Sequence, residues 1–176
     1  MDSIQNSHRR MAVIALLVGL GVVLHRLEAL LPLPTPWVKL GLANIMTLIA
    51  LVFLGFRAAL QVTLLRVLLG SVLGGTFLSP TFFLSLAGGL ASVGMMGLLY
   101  REGRRAFSLV GISVAAAYAH TTAIFVCVFF LFIHQSVFFN LLPVFLTFSL
   151  VSGILTGLLA NNVTRHLTNE GISFSK

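Results

Sequence analysis

A polytopic membrane bundle of six α-helices is the fold class this sequence predicts, and three observations predict it. Hydrophobic residues make up 58% of the chain and charged residues only 9%, where a soluble domain carries about 25% charged residues. The mean hydropathy is +1.06. The apolar residues gather into six runs that approach the roughly 20 residues a spanning helix needs. A globule cannot be covered with so little polar surface, so most of the chain is expected to face lipid.

The first expected span covers about 11–31. Arg9 and Arg10 precede its apolar core, as they would in a signal peptide. The core runs on into HRLEALLP with no small-residue cleavage site, so an uncleaved first span is expected. The second span, about 40–56, is closed by Gly55, and the third, about 58–73, is followed by Gly74 and Gly75. Both are short and share a turn at Gly55-Phe56-Arg57, so they form either two spans or one bent hairpin that does not fully cross. The fourth covers about 80–100, the fifth about 107–133 and the sixth about 141–163. Short loops and the lack of a linker or repeat point to a single integral membrane domain over residues 1–176.

Charge sets the expected orientation. With the N-terminus inside, the inner segments hold Arg9, Arg10, Arg57, Arg101, Arg104, Arg105, Arg165 and Lys176, eight in all, and the outer ones only Arg26 and Lys39. Basic residues favour the cytoplasmic side, which puts both termini in the cytoplasm of a cell-membrane protein in contact with lipid. The net charge of +7 is therefore punctuation between spans rather than a nucleic-acid face. A lone Cys127 builds neither a disulfide framework nor a thiolate metal site. Histidines offer no zinc pair at helical spacing and only His120 lies deep, so no metal, haem or other cofactor is expected.

Residues that are costly to place in lipid mark the candidate site. Arg66 lies nine residues beyond Arg57, about 13–14 Å along a helix axis and near the bilayer midplane. A charge there costs several kcal/mol, on the order of the insertion scales, unless it faces a cavity or a partner. No acid stands where it would neutralise Arg66, since Glu28 is expected near the outer end of the first span. Two readings remain open: backbone carbonyls with Gln61 or Asn44 satisfy Arg66, or it faces a polar cavity that takes a ligand. The outer stretch PLPTPWVKLGLAN adds Pro32, Pro34 and Pro36, which stiffen it, then Trp37, Lys39, Gly41 and Asn44. Trp37 and Lys39 also suit an interfacial anchor, but Asn44 does not. Gly74 to Gly89 carries Pro80, Ser79, Thr81 and Ser85, and is expected to be re-entrant or unwound and to wall the same cavity. Lys39, Arg66, Asn44 and Gly41, with Trp37, Ser79 and His120 as walls, are thus the expected substrate-binding residues. Two cations at one cavity point to an anionic ligand.

Small residues four apart, at Gly70 and Gly74, Ala115 and Ala119, and Gly153 and Gly157, let helix backbones approach closely in lipid. Ala12, Ala15 and Gly19 form a similar stripe on the first span, which serves either packing within the chain or docking of a partner membrane protein.

The runs PWVKLGLANIMTLIALVFLG, LLRVLLGSVLGGTFLSPTFFLSLAGGLAS and GISVAAAYAH resemble the family labelled heptaprenyl diphosphate synthase component I, also called the Gx transporter family. The resemblance spans nearly the whole chain. Trp37 stands where family members commonly have glycine, and Ala116, Tyr118 and Thr121 depart from the pattern after GISVA. More distantly the family is similar to the six-helix S components of energy-coupling-factor (ECF) transporters. That likeness implies capture of a small vitamin-class substrate for uptake, with Ala12, Ala15 and Gly19 docking an ECF coupling subunit driven by ATPases. The chain has no P-loop, so ATP hydrolysis would belong to such partners. It is not expected to be an enzyme: prenyl transfer needs clustered aspartates to hold Mg²⁺, and the single aspartate is Asp2. Two alternatives stand beside the transport reading, a membrane subunit of quinone- or flavin-linked electron transfer and a non-catalytic accessory of prenyl diphosphate synthesis.

Overall fold

The computed structural model describes residues 2–29, 41–103 and 107–170. Within them the chain forms α1 (Asp2–Ala29), α2 (Leu42–Leu54), α3 (Phe56–Leu73), α4 (Pro80–Gly103), α5 (Leu109–Val128) and α6 (Leu142–Asn169), and no strand. A π turn (Phe129–Ile133) and a 3-10 turn (Ser136–Leu141) join α5 to α6.

Five segments, Ser7–Glu28, Phe56–Leu73, Pro80–Glu102, Leu109–Ile133 and Ser136–Asn169, are long and apolar enough to cross a membrane. The second expected span is different. α2 has 13 residues, about 20 Å of helix against the roughly 30 Å of a hydrocarbon core. It survives at that length because protein rather than lipid surrounds it. Asn44, Thr47, Leu48, Ala50 and Leu51 are all buried, and α2 packs on α1, α3 and α6. Its two ends are glycines in conformations that L side chains rarely adopt, Gly41 at φ 69° and Gly55 at φ 87°; both turns are sharp because no Cβ opposes them.

Along α6 the packing is inside-out relative to a soluble bundle. On α6 the buried residues are Ser149, Ser152, Gly153, Thr156, Gly157, Ala160 and Thr164, while Leu150, Val151, Ile154, Leu155, Leu158 and Leu159 are exposed. Small and hydroxyl-bearing side chains face the neighbouring helix and leucines face outward, as expected where lipid is the solvent. A Cβ built on Gly153 would lie 2.7 Å from the Val114 Cα, and one on Gly157 2.7 Å from the Val110 Cα. α5 and α6 therefore meet backbone to backbone, and Ser113 and Thr156 share a hydrogen bond of 2.9 Å across that seam. Gly70 and Gly74 receive α1 instead, under the rings and guanidinium of His25 and Arg26. The stripe of Ala12, Ala15 and Gly19 is exposed, and a Cβ on Gly19 would meet nothing within 4 Å.

The unwound stretch expected over Gly74–Gly89 is shorter than that. It ends at Ser79, because Pro80 opens α4, and proline's fixed φ suits the first helical position. Gly88 and Gly89 lie inside regular helix, where their missing side chains admit His120 and Thr63.

The α5–α6 contact gives a direct test. Gly157→Ala forces a methyl into the Val110 backbone and is expected to cost about 1–3 kcal/mol, read as a lower unfolding midpoint in detergent. Gly94→Ala, where the added methyl meets nothing within 4 Å, leaves the midpoint unchanged or raises it; equal losses in both would refute the seam.

Candidate functional site

α3 carries Arg66 into the bundle, where it is 5% exposed. The helix contributes it because Val62, Thr63, Arg66, Val67 and Gly70 recur on one buried face, while Leu64, Leu65, Leu68 and Leu69 face outward. One guanidinium nitrogen, Nη2, donates to Asn44 Oδ1 at 2.6 Å. The Nε–H is buried without a hydrogen-bond partner among the described residues. The aliphatic stem lies against Gly21 of α1, where a Cβ would approach Arg66 Cδ to 3.4 Å.

An acid shares this space, contrary to the sequence-based expectation. Glu28 is 3% exposed and lines one hollow with Arg66, His25, Asn44, Ser85 and His120. Its Oε1 accepts the Gly41 N–H at 2.5 Å, tying α1 to the start of α2. The reason is helical phase. Gly21, His25 and Glu28 are spaced i, i+4, i+7, which sets them on one face, and the Gly21 contact with Arg66 turns that face toward α3. An acid near a helix end reads as solvent-facing if only its distance from that end is counted.

A second hollow adjoins the first. Gly41, Asn44 and His120 line both, and the second is completed by Ser113, Ala117, Thr121, Ser149, Ser152 and Thr156. The cavity volumes are about 10 Å³ beside Arg66 and about 20 Å³ on the α5–α6 side. Each suits a water molecule or two, so in this conformation the expected ligand-sized cavity is reduced to water-sized spaces. Every one of the six helices supplies at least one lining residue, from His25 on α1 to Thr156 on α6. The seam hydroxyls are paired: Thr121 with Ser149, and Thr156 with the Ser152 carbonyl at 2.9 Å.

Of the residues expected from the sequence, Gly41, Asn44, Arg66 and His120 come together here. His120 fits because Gly88 has no side chain; a Cβ there would stand 2.7 Å from the imidazole Cε1. Ser79 does not join them. Its hydroxyl donates to the Thr76 carbonyl at 2.6 Å within the α3–α4 turn, and Ser85, further along on α4, lines the hollow instead. Trp37 and Lys39 lie outside the described residues. Glu28, His25, Ser149, Ser152 and Thr156 were not singled out from the sequence. The last three recur at i, i+3 and i+7, a polar stripe on α6 that hydropathy averaging conceals. No group of three or more histidine, cysteine or acidic side chains able to hold a metal occurs among the described residues.

The fold and this polar centre define a helical bundle of membrane type with a hydrogen-bonding interior in which Arg66 and Glu28 line one hollow. The chain belongs to the heptaprenyl diphosphate synthase component I family, whose model matches residues 17–163. Comparison with curated proteins and with solved structures finds no match.

The Arg66–Asn44 bond sets an expectation. Asn44→Ala leaves two guanidinium nitrogens buried without acceptors and is expected to destabilise the protein by about 1–3 kcal/mol. Replacing both partners, Arg66→Met with Asn44→Leu, is expected to recover most of that loss. Thermal unfolding in detergent micelles reads both; a midpoint untouched by Asn44→Ala would mean the bond carries no weight.

Proposed function

We propose that this chain is a non-catalytic membrane component of heptaprenyl diphosphate synthesis. The observation that carries the reading is the family match over residues 17–163, whose numbered description implies at least one further component. The residues support a non-catalytic share of the work. Diphosphate transfer calls for paired carboxylates around Mg²⁺, and the four acidic residues are Asp2, Glu28, Glu102 and Glu170. Only Glu28 reaches the polar centre, and it stands there beside a guanidinium rather than a second acid. In this reading the apolar outer surface holds the growing chain's surroundings in the membrane, and the partner supplies the chemistry. The cell membrane is the setting, with both termini on the cytoplasmic side; Arg10 donating to the Leu54 carbonyl at 3.3 Å sets the start of α1 and the end of α2 at one, basic end of the bundle.

A second reading, capture of a small molecule for uptake, is favoured by one observation: the two adjoining hollows draw polar side chains from all six helices. Here the exposed stripe of Ala12, Ala15 and Gly19 would meet an ECF-type coupling subunit with its ATPases.

One experiment separates the two. The chain is reconstituted in liposomes with the catalytic prenyl synthase of the same organism, and product formation is measured with and without it. The first reading expects at least about a tenfold rise in long-chain product, on the order of one interaction of 1.4 kcal/mol in the transition state. Unchanged synthesis, together with co-purification of a coupling subunit and ATPases from native membranes, would overturn it in favour of uptake.

A further inference from the structure

The outward face of α3 carries a polar residue where lipid offers it nothing. Arg57, Gln61, Leu64, Leu68 and Val72 recur at i, i+4, i+7, i+11 and i+15, which sets them on one face, and all five are exposed. α3 has 18 residues, about 27 Å of helix, so its whole length is needed to span a hydrocarbon core of roughly 30 Å. Gln61 stands one turn beyond Arg57, about 6 Å deeper along the axis. A lipid-facing amide at that depth is costly unless something hydrogen-bonds to it. Neither Arg57 nor Gln61 forms a side-chain hydrogen bond or an ion pair with the described residues.

Charge and shape narrow what covers this strip. Arg10 donates to the Leu54 carbonyl at 3.3 Å, which sets a second guanidinium three residues along the chain from Arg57. Phe56 lies over Gly97 of α4, and Glu102, further along that helix, is paired with Arg101 at 3.6 Å. A second copy of this chain packed symmetrically on the strip would bring Arg57 against Arg57. A partner helix would call for small residues, as this chain uses at Gly153 and Gly157 for its own closest helix contact; the strip presents leucine and valine instead. What fits is an anionic head rich in acceptor oxygens beside Arg57 and Gln61, with a flexible hydrocarbon chain along Leu64, Leu68 and Val72. We propose that this strip binds a membrane-embedded polyprenyl diphosphate, Arg57 and Gln61 holding the diphosphate and the apolar face of α3 carrying the isoprenoid tail. A diphosphate brings more charge and more acceptors to two guanidinium groups than the single phosphate of a phospholipid. This inference rests on the accessory reading of the chain and deepens it: the membrane component keeps the amphiphilic product at the bilayer edge while its partner supplies the chemistry.

The test uses the full chain in phosphatidylcholine nanodiscs without Mg²⁺. Radiolabelled geranylgeranyl diphosphate is added, and the amount retained above that of empty discs is measured. Wild type is expected to retain it saturably, and to release it to unlabelled geranylgeranyl diphosphate but not to equal amounts of geranylgeraniol, inorganic pyrophosphate or phosphatidylglycerol. Arg57→Gln with Gln61→Leu is expected to weaken retention at least about tenfold, the scale of a lost charge-assisted hydrogen bond. Arg165→Gln removes the same charge from an exposed position on α6 and is expected to change retention by less than about twofold. Displacement by phosphatidylglycerol as strong as by the unlabelled diphosphate would make the strip an ordinary anionic-lipid contact and overturn the proposal. So would equal displacement by pyrophosphate or geranylgeraniol, equal losses in the two variants, or no saturable retention. The wild-type competition needs no variant, so it decides the point even if a variant fails to fold. Retention is read apart from catalysis: its absence while the chain still raises prenyl synthesis strikes the strip alone, and its presence with synthesis unchanged strikes the accessory reading and not the strip.

Discussion

A guanidinium held inside an apolar bundle is the constraint around which the other elements are arranged. Moving such a charge out of water is costly, and it stays charged only where hydrogen bonds and an opposite charge replace its hydration. Two helices supply that replacement. α2 brings the Asn44 carbonyl oxygen to 2.6 Å, α1 brings Glu28 into the same hollow, and Gly21 of α1 leaves room for the arginine stem. Each contribution fixes a rotation or a depth. α1 must turn its Gly21-His25-Glu28 face inward, α2 must start at the level of Arg66, and α3 must present Arg66 between them.

The short α2 follows from that geometry. A helix of 13 residues is too short to be a lipid-facing span, but inside a ring of longer helices it has no lipid to match. Its ends can then bend sharply at Gly41 and Gly55, and its N-terminal turn can reach Glu28 through the Gly41 amide. On the far side α5 and α6 close the bundle by a different device. Gly153 and Gly157 remove the side chains that would hold the backbones apart, and hydroxyl pairs such as Ser113 with Thr156 satisfy the polar groups brought together there. The leucines displaced from the seam become the outer surface, which is the arrangement that lipid rewards and water does not.

Much of the fold was legible in the sequence because hydrophobic runs and Gly or Pro punctuation mark helix ends directly. The third run was read as about 58–73 and forms Phe56–Leu73; the fourth, read as about 80–100, forms Pro80–Gly103. Asn44, Arg66 and His120, which line the hollows, were legible as polar residues of the interior because each is expensive in lipid at its depth, and Gly41 because a missing side chain leaves room beside them. Glu28 was not, since its role depends on which way α1 is rotated, and rotation is set by Gly70 and Gly74 on a helix far away in sequence. Ser79 was misplaced for a related reason. The break after Gly74 is real, but Pro80 restarts the helix at once, which leaves Ser79 in the turn and sends Ser85 to the wall. The size of the hollows was also beyond reach, because it depends on how closely six helices pack and not on which residues line them.

Arg66 and Glu28 line one hollow with opposite charges, and a double-mutant cycle measures their coupling most directly. Unfolding free energies are compared for wild type, Glu28→Gln, Arg66→Met and the double variant, by denaturant titration in detergent. A coupling of about 1–3 kcal/mol, with the double variant more stable than the sum of the single losses allows, is the predicted result. Additivity within about 0.5 kcal/mol would show that the two charges do not sense each other, and the compensated core described here would be contradicted.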